Sequence, residues 1–518
     1  MFEECHQPLS STYAYLLKFE YIMKALRIIL FLIAFCVGDL HAQERFTDRE
    51  QFEHMRQSMR REYDEYRKNI EREYADYLRQ TWMEYQLHKG LNPYSSPKPD
   101  TIPAVPDDEK RIAKELPAKG AIELPVALPK PEVSPIGKKN MPEGRDLVSV
   151  PYYGTTYQFT YNLDDCRLKS TDTNDIADAW EAFSTPSMNQ LTADLLSVKL
   201  EHRFNDWAFF RLVEETANRI PQLKSSDMRV LFRHFVLFKC GYKLRMGLID
   251  DSLILLVPFY EQINWRPYLA DGDEQYYLFT DYANKVSGAV YTVPLSDKQE
   301  GRLFSLRFQE DIHLMDQSTL ITKSYREKEY VAHVNMNRID FFKDYPQCDF
   351  QVLAEAPVDP IFEQELFEQL EFQINGLLPV EKLRWLLHFT QSAFQYATDF
   401  AQFGEEDYLV PEETFFYPKS DCEDRAIFFS WLVRRILGFE VALLHYDGHL
   451  ATGVCFEGEI KGSYILSGGK QYLLCDPTYI GADIGQCMPR YENEKPVVIK
   501  LNHVDTIYDE LNRVEVEL

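Results

Sequence analysis

The chain has 518 residues, 45% of them hydrophobic and 14% aromatic, and a formal charge of -26 at pH 7. That length allows about three domains at roughly 150 residues each, and the acidic balance excludes a nucleic-acid backbone as the main partner. The charge identifies no substrate, because most acidic side chains are the solvated faces of helices and strands.

Residues 23–43 combine a basic start at Lys24 and Arg27, an apolar run over 28–37 and a small residue at Ala42. This pattern predicts a secretory signal peptide cleaved before Gln43. The apolar run is too short for a membrane span, which needs roughly 20 residues, so no transmembrane anchor is expected. The 22 residues ahead of Met23 have no role in this scheme and form an upstream extension. Seven cysteines remain after cleavage, at positions 166, 240, 348, 422, 455, 475 and 487. Their scattered spacing gives neither a disulfide framework nor a CxxC metal pattern, and Cys455 and Cys475 read as buried free thiols.

Residues 43–89 lack Gly until the segment is past and carry aromatic or apolar residues at Tyr63, Tyr66, Ile70, Tyr74, Tyr77, Leu78 and Tyr85. The three-and-four spacing predicts a charged amphipathic helix, a tether or a docking helix for an envelope partner. Eleven prolines between 91 and 150 make residues 90–150 an extended linker. An α+β domain is expected over 151–290, with a strand at 152–161 and helices at 207–220 and 228–239. Alternation over 290–358 predicts a β-rich domain at 291–370. A helix over 380–400 then leads into the motif region of the last domain, 371–518.

In that domain Pro418 breaks the chain, Ser420 or Asp421 can cap, and the apolar run 426–437 is a buried helix ended by Gly438. Cys422 therefore opens a helix, where unpaired backbone N–H groups favour a thiolate and are expected to lower its pKa. Asp447-Gly448 is a tight-turn dipeptide, and His449 heads the strand after it. His449, Ala451, Gly453 and Cys455 share one strand face, and the small residues are expected to receive the helix start. His445, before the turn, reads as an ordinary structural histidine. Asp476 ends the next strand ahead of Pro477, in position to accept the imidazole Nδ1–H and fix the tautomer.

Cys, His and Asp thus follow in order at two spacings of 27 residues. The segments Ser420-Asp421-Cys422-Glu423-Asp424-Arg425-Ala426, Asp447-Gly448-His449 and Cys475-Asp476-Pro477-Thr478-Tyr479 resemble the transglutaminase-like superfamily, in particular its bacterial exported group with Asp-Cys-Glu-Asp at the nucleophile. The resemblance spans residues 377–490. It implies a papain-like core of a helix packed on an antiparallel sheet and thiol-based acyl transfer at an amide or peptide bond. Cys422 would be the nucleophile, His449 the base and Asp476 the orienting group. An oxyanion donor is needed beside the Cys422 backbone N–H. The side-chain candidates are Gln391, Gln395 and Gln402, and Gln402 is preferred because it lies in an expected loop. No nucleotide-binding glycine loop, HExxH pair or dinucleotide fingerprint occurs, so neither cofactor nor metal is expected, and the expected partner is a protein or peptide substrate.

The chain also aligns with itself at an offset of 197, Gly241-Tyr242 falling on Gly438-Phe439 and Ser252 on His449. Reducing the offset by two lays 275–281 over 470–476, so that Asp281 meets Asp476, while Ser225 meets Cys422. A degenerate half lacking nucleophile and base is expected over about 200–285. The functions in competition are an exported cysteine hydrolase or transamidase, a recognition protein of the same fold, and an envelope scaffold.

Overall fold

The computed structural model describes residues 100–101, 146–163, 166–249, 251–280, 289–292, 301–456 and 461–502. The chain divides into Met1–Glu71 and Arg72–Leu518, and all described residues belong to the second unit. The expected signal peptide and the helix over 43–89 lie outside them.

Two strands come from the expected linker: β1 (Asp100–Thr101), and β2 (Asp146–Tyr152), which begins inside it. β2 pairs with β3 (Thr155–Tyr161) in an antiparallel hairpin, where a single strand over 152–161 was expected. Gly154 is the reason. It turns the chain at φ +82°, and a Cβ there would meet Asn337 Nδ2 at 2.3 Å. Helices α1 (Thr173–Phe183), α2 (Pro186–Glu201), α3 (Asp206–Arg219) and α4 (Ser226–Lys239) follow. Thr185, Asn205 and Ser225 cap the last three by accepting backbone N–H groups of Met188, Ala208 and Met228, each cap worth about 1 kcal/mol.

The next strands, β4 (Arg245–Ile249), β5 (Ser252–Pro258), β6 (Tyr268–Asp271), β7 (Glu274–Phe279) and β8 (Ala289–Thr292), join β1 in a sheet of order β1-β8-β4-β5-β7-β6. All its pairings are antiparallel. The β-rich domain expected over 291–370 is instead, among the described residues, one hairpin followed by helices. β9 (Ser318–Tyr325) pairs with β10 (Lys328–Asn335), and α5 (Met336–Lys343), α6 (Phe350–Ala354) and α7 (Pro360–Ile374) follow. Helix-start chemistry overrides the alternation: Asn335 accepts the Asn337 N–H, and Asp359 caps a helix with Pro360 at its first position.

Helix α8 (Pro379–Ala393) stops short of the expected 400. Phe394 becomes extended because its carbonyl is held by Arg425 Nη2 at 3.0 Å. β11 (Gln395–Tyr396), the single turn α9 (Asp399–Gln402), α10 (Pro411–Phe416) and β12 (Lys419–Ser420) fill the approach to the motif, β11 and β12 pairing in parallel. Then comes α11 (Cys422–Leu432), which continues as a π turn, Val433–Leu437, and ends at Gly438 with φ +67°. The second sheet contains β13 (Glu440–Tyr446), β14 (His449–Cys455), β15 (Tyr464–Ser467), β16 (Lys470–Cys475) and β17 (Val497–Lys500), in the order β15-β16-β14-β13-β17 and again antiparallel throughout.

The two sheets have one plan. Read from the other edge, the second is β17-β13-β14-β16-β15, matching β8-β4-β5-β7-β6 strand for strand. In each, a helix lies on the strand after the first turn, α4 on β5 and α11 on β14, and an earlier helix packs on that one, α3 on α4 and α8 on α11. Leu253, Leu255 and Val257 of β5 and Leu450 and Val454 of β14 belong to one core with these helices, while alternate residues form separate outer clusters, among them Ile254, Leu256 and Tyr276, and Leu444, Ala451 and Leu474.

Arg338 of α5 is 2% exposed and meets Glu412, itself 1% exposed, together with Asp311 and the carbonyls of Pro357 and Ile312. Replacing Arg338 by Met strands the Glu412 carboxylate in the core. We expect a loss of about 3–5 kcal/mol in unfolding free energy, measurable by urea denaturation, whereas a loss under about 1 kcal/mol would mean the pair does not clamp α5 to α10.

Candidate active site

Cys422 occupies the first position of α11, after Asp421. The end is closed reciprocally, Asp424 Oδ2 accepting the Asp421 N–H at 3.1 Å and the Asp421 carboxylate the Asp424 N–H, while Arg425 Nε donates to Ser420 Oγ at 3.1 Å. The tight turn at 447–448 puts His449 at the head of β14, and antiparallel pairing of Thr452 with Cys475 sets the end of β16 beside that head. Asp476, the next residue, therefore faces the imidazole. His449 Nε2 lies 2.9 Å from Asp476 Oδ2, with both residues buried. The contact corrects the expected nitrogen: Nε2 meets the carboxylate, leaving Nδ1 for other chemistry. Asp476 Oδ1 accepts the N–H groups of Thr478 and Tyr479 at 2.9 and 3.1 Å, and the Tyr491 ring stacks on His449 at 5.0 Å and 10°.

The thiol departs from expectation. Cys422 Sγ donates to Glu423 Oε2 at 2.9 Å, and no hydrogen bond joins it to His449 among the described residues. The backbone N–H of Leu450, next to His449, lies against the sulfur and favours the thiolate, but burial and then the Glu423 and Asp421 carboxylates push the thiol well up. A helix start alone would lower it; desolvation and two adjacent acids outweigh that pull. The small-residue face is also not the one that meets the helix, since Leu450 and Val454 lie in the core with α11 while Ala451 is in the outer cluster.

Three buried carboxylates surround this helix start. Asp399, Asp421 and Asp424 are 2%, 5% and 0% exposed, and each presents an oxygen within 4.8 Å of the others. Burial and then Asp421 raise Asp399 to about 8; burial raises Asp421 against hydrogen bonds that pull it down, and burial with Asp421 and Asp399 raises Asp424. Asp421 Oδ1 is buried without a hydrogen-bond partner. Such a set suits a hard divalent cation such as calcium, which takes carboxylate oxygens. Sequence reasoning missed it, because Asp399 lies far upstream and only the fold brings it to the motif.

Of the three glutamines, Gln395 is exposed on β11. Gln391 is buried and spends its amide on the loop after Asp476, at the carbonyls of Asp476, Tyr479 and Ala482, so it is no oxyanion donor. Gln402 ends the turn α9 rather than lying in a loop, and its Nε2 is 3.4 Å from the Lys419 carbonyl, just ahead of the motif. His445 packs edge-on against Phe350. None of the seven described cysteines is in a disulfide; Cys475 is buried and Cys455 partly so.

At the same corner of the first sheet the equivalences shift. Asp251 and Gly448 both take the turn at positive φ, +66° and +69°, and Ser252 stands where His449 does. Ser225, however, caps α4, and it is Asp227 whose Oδ1 accepts the Leu253 N–H at 2.7 Å. That N–H corresponds to the Leu450 group against Cys422, so a carboxylate takes the place of the thiol. Pairing of Leu255 with Phe279 puts Thr280 in the place of Asp476; the expected Asp281 lies outside the described residues. Among known proteins, no family model and no curated sequence matches this chain.

An acid raised from its usual range near 4 to about 8 keeps its proton on folding, so the folded chain binds more protons between those values and stability falls as pH rises through that window. The melting temperature of the chelated protein should therefore drop from pH 5 to pH 8, and calcium should restore it at pH 8 in the native chain but not in Asp399→Asn. A flat profile would remove Asp399 as the titrating group. Because the Glu423 and Asp421 carboxylates add to the burial that holds the thiol up, and Glu423 is ionised above about 8, Glu423→Gln should speed alkylation of Cys422 at pH 9 by about tenfold, one unit of pKa being a factor of ten in thiolate; slower labelling would show that Glu423 assists ionisation.

Proposed function

We propose that the chain is an exported cysteine-dependent acyl-transfer enzyme acting on peptide or amide bonds, with Cys422 as nucleophile, His449 as base and Asp476 as the orienting carboxylate. The observation that carries this reading is the 2.9 Å bond from His449 Nε2 to Asp476 at the strand ends beside the start of the Cys422 helix. The bond leaves Nδ1 available to take a thiol proton, and a buried carboxylate supports the imidazolium that results. In the reaction the Cys422 sulfur adds to the carbonyl carbon, the amine leaves with the proton held by His449, and water or a second amine releases the acyl group. The Cys422 N–H, at the first position of α11, is one of the donors a helix leaves without an internal acceptor, and Gln402 near Lys419 is the side-chain candidate for the oxyanion.

Catalysis requires the sulfur to turn from Glu423 toward His449. That requirement favours a second reading, a recognition protein of the same fold whose triad is idle, because the resting thiol is protonated and bonded to Glu423. The export of the chain and a docking role for residues 43–89 belong to the proposal as well, resting on the sequence pattern alone. No helix among the described residues is long and apolar enough to cross a membrane.

Reaction with an electrophilic acyl probe, read by mass spectrometry of the modified peptide, separates the readings. The enzyme reading expects selective labelling at Cys422, abolished in Cys422→Ser, reduced about a hundredfold or more in His449→Ala and less in Asp476→Asn, whose role is orientation. Labelling of Cys422 no faster than a free thiol, with no effect of His449→Ala, would leave the recognition reading.

A further inference from the structure

Gln391 lies in the last turn of α8 and is 1% exposed. Its Nε2 is 3.0 Å from the carbonyl of Asp476, 2.9 Å from that of Tyr479 and 3.1 Å from that of Ala482. Its Oε1 accepts the Gly481 N–H at 3.1 Å and lies 3.0 Å from His388 Nδ1. One amide, with two hydrogens for three carbonyls, thus gathers the loop that starts at Asp476. The backbone of the same residue faces the nucleophile helix, its carbonyl 3.4 Å from Arg425 Nη1, while Arg425 Nη2 holds Phe394.

We infer that Gln391 is a positioning residue of this site, fixing the peptide of Asp476 to α8 so that its carboxylate meets His449 Nε2 while Arg425 ties α8 to the helix of Cys422. The inference rests on the cysteine reading of the site. Asp476 lies one residue past the end of β16, beyond the ladder whose last pair is Thr452 with Cys475, and the Gln391 amide donates to its carbonyl. An amide is suited to the task because it donates to carbonyls and accepts an N–H at once without bringing a charge into the core.

The test is the pH profile of Cys422 alkylation by iodoacetamide in the full chain, its His449→Ala variant and Gln391→Met, which keeps length and apolar packing. The native profile should contain a limb below neutrality that His449→Ala removes. Gln391→Met should weaken that limb at least fivefold at pH 6.5 while leaving the rate at pH 10 unchanged, where hydroxide rather than the imidazole takes the thiol proton. A role in stability alone would lower the melting temperature without altering the limb, and a Gln391→Met profile superimposable on the native one would overturn the inference. If the native limb is absent, or is unchanged in His449→Ala, the cysteine reading itself falls, and the inference with it. Should Gln391→Met not fold, Gln391→Glu, which keeps the acceptor for Gly481 and sets a carboxyl oxygen where the amide donated to the carbonyls, is measured with the same two outcomes.

Discussion

The arrangement of the second half depends on a buried arginine and a buried glutamine bonded to backbone rather than to charge. Arg425 is 0% exposed and donates to Ser420 Oγ and to the carbonyls of Gln391 and Phe394. It stops α8, turns the chain into β11 and holds α11 against it. Burial lowers the Arg425 pKa, with Tyr396, Asp424 and Asp421 opposing the shift. The cation is therefore sustained by the same acids that cap the Cys422 helix, and Cys422, cap and counter-charge form one unit.

Those acids also explain why the resting thiol is not the thiolate that a helix start favours. A helix N-terminus contributes at most about 2 kcal/mol toward an anion, and Asp421, Glu423 and Asp424 already draw on it. Glu423, raised to about 8 by burial and by Asp421, keeps its proton near neutrality, as does Asp399. The corner stores protons on carboxyl groups that water would strip, at a cost in stability that grows with pH. A cation among Asp399, Asp421 and Asp424 would displace those protons and reduce the repulsion acting on the thiol, coupling the cation to the ionisation of Cys422.

The parts legible in the sequence were those written in short-range chemistry. The helix start at Cys422, its end at Gly438, the turn at 447–448 and the strand stop at Pro477 each follow from a capping or turn residue, and they lie where those residues put them. Features decided by distant contacts were not legible. The carbonyl of Phe394 is taken by Arg425, so α8 ends early. The alternation over 290–358 is only partly strand because Asn335 and Asp359 start helices within and after it. Strand period gives two faces but not which is covered, so the small residues after His449 pointed to the wrong side. Asp399 joins the motif only through the fold.

The matching sheets turn these observations into a comparison within one chain. Both place a helix on the second strand of a hairpin, and in both a backbone N–H one residue into that strand needs an acceptor at the helix start. In the first sheet Asp227 supplies a carboxylate to Leu253 N–H at 2.7 Å. A carboxylate suits a helix N-terminus and satisfies the donor fully, so that corner is closed and stable. In the second sheet the corresponding group is the Cys422 sulfur, a weak acceptor while protonated, and the Leu450 N–H is well satisfied only if the sulfur becomes a thiolate. The first corner thus has the better structural cap and no thiol, and the corner with the poorer cap is the one with His449 and Asp476 beside it. A sulfur standing where a carboxylate would bond better, next to a histidine oriented by Asp476, supports the proposed thiol chemistry over packing alone.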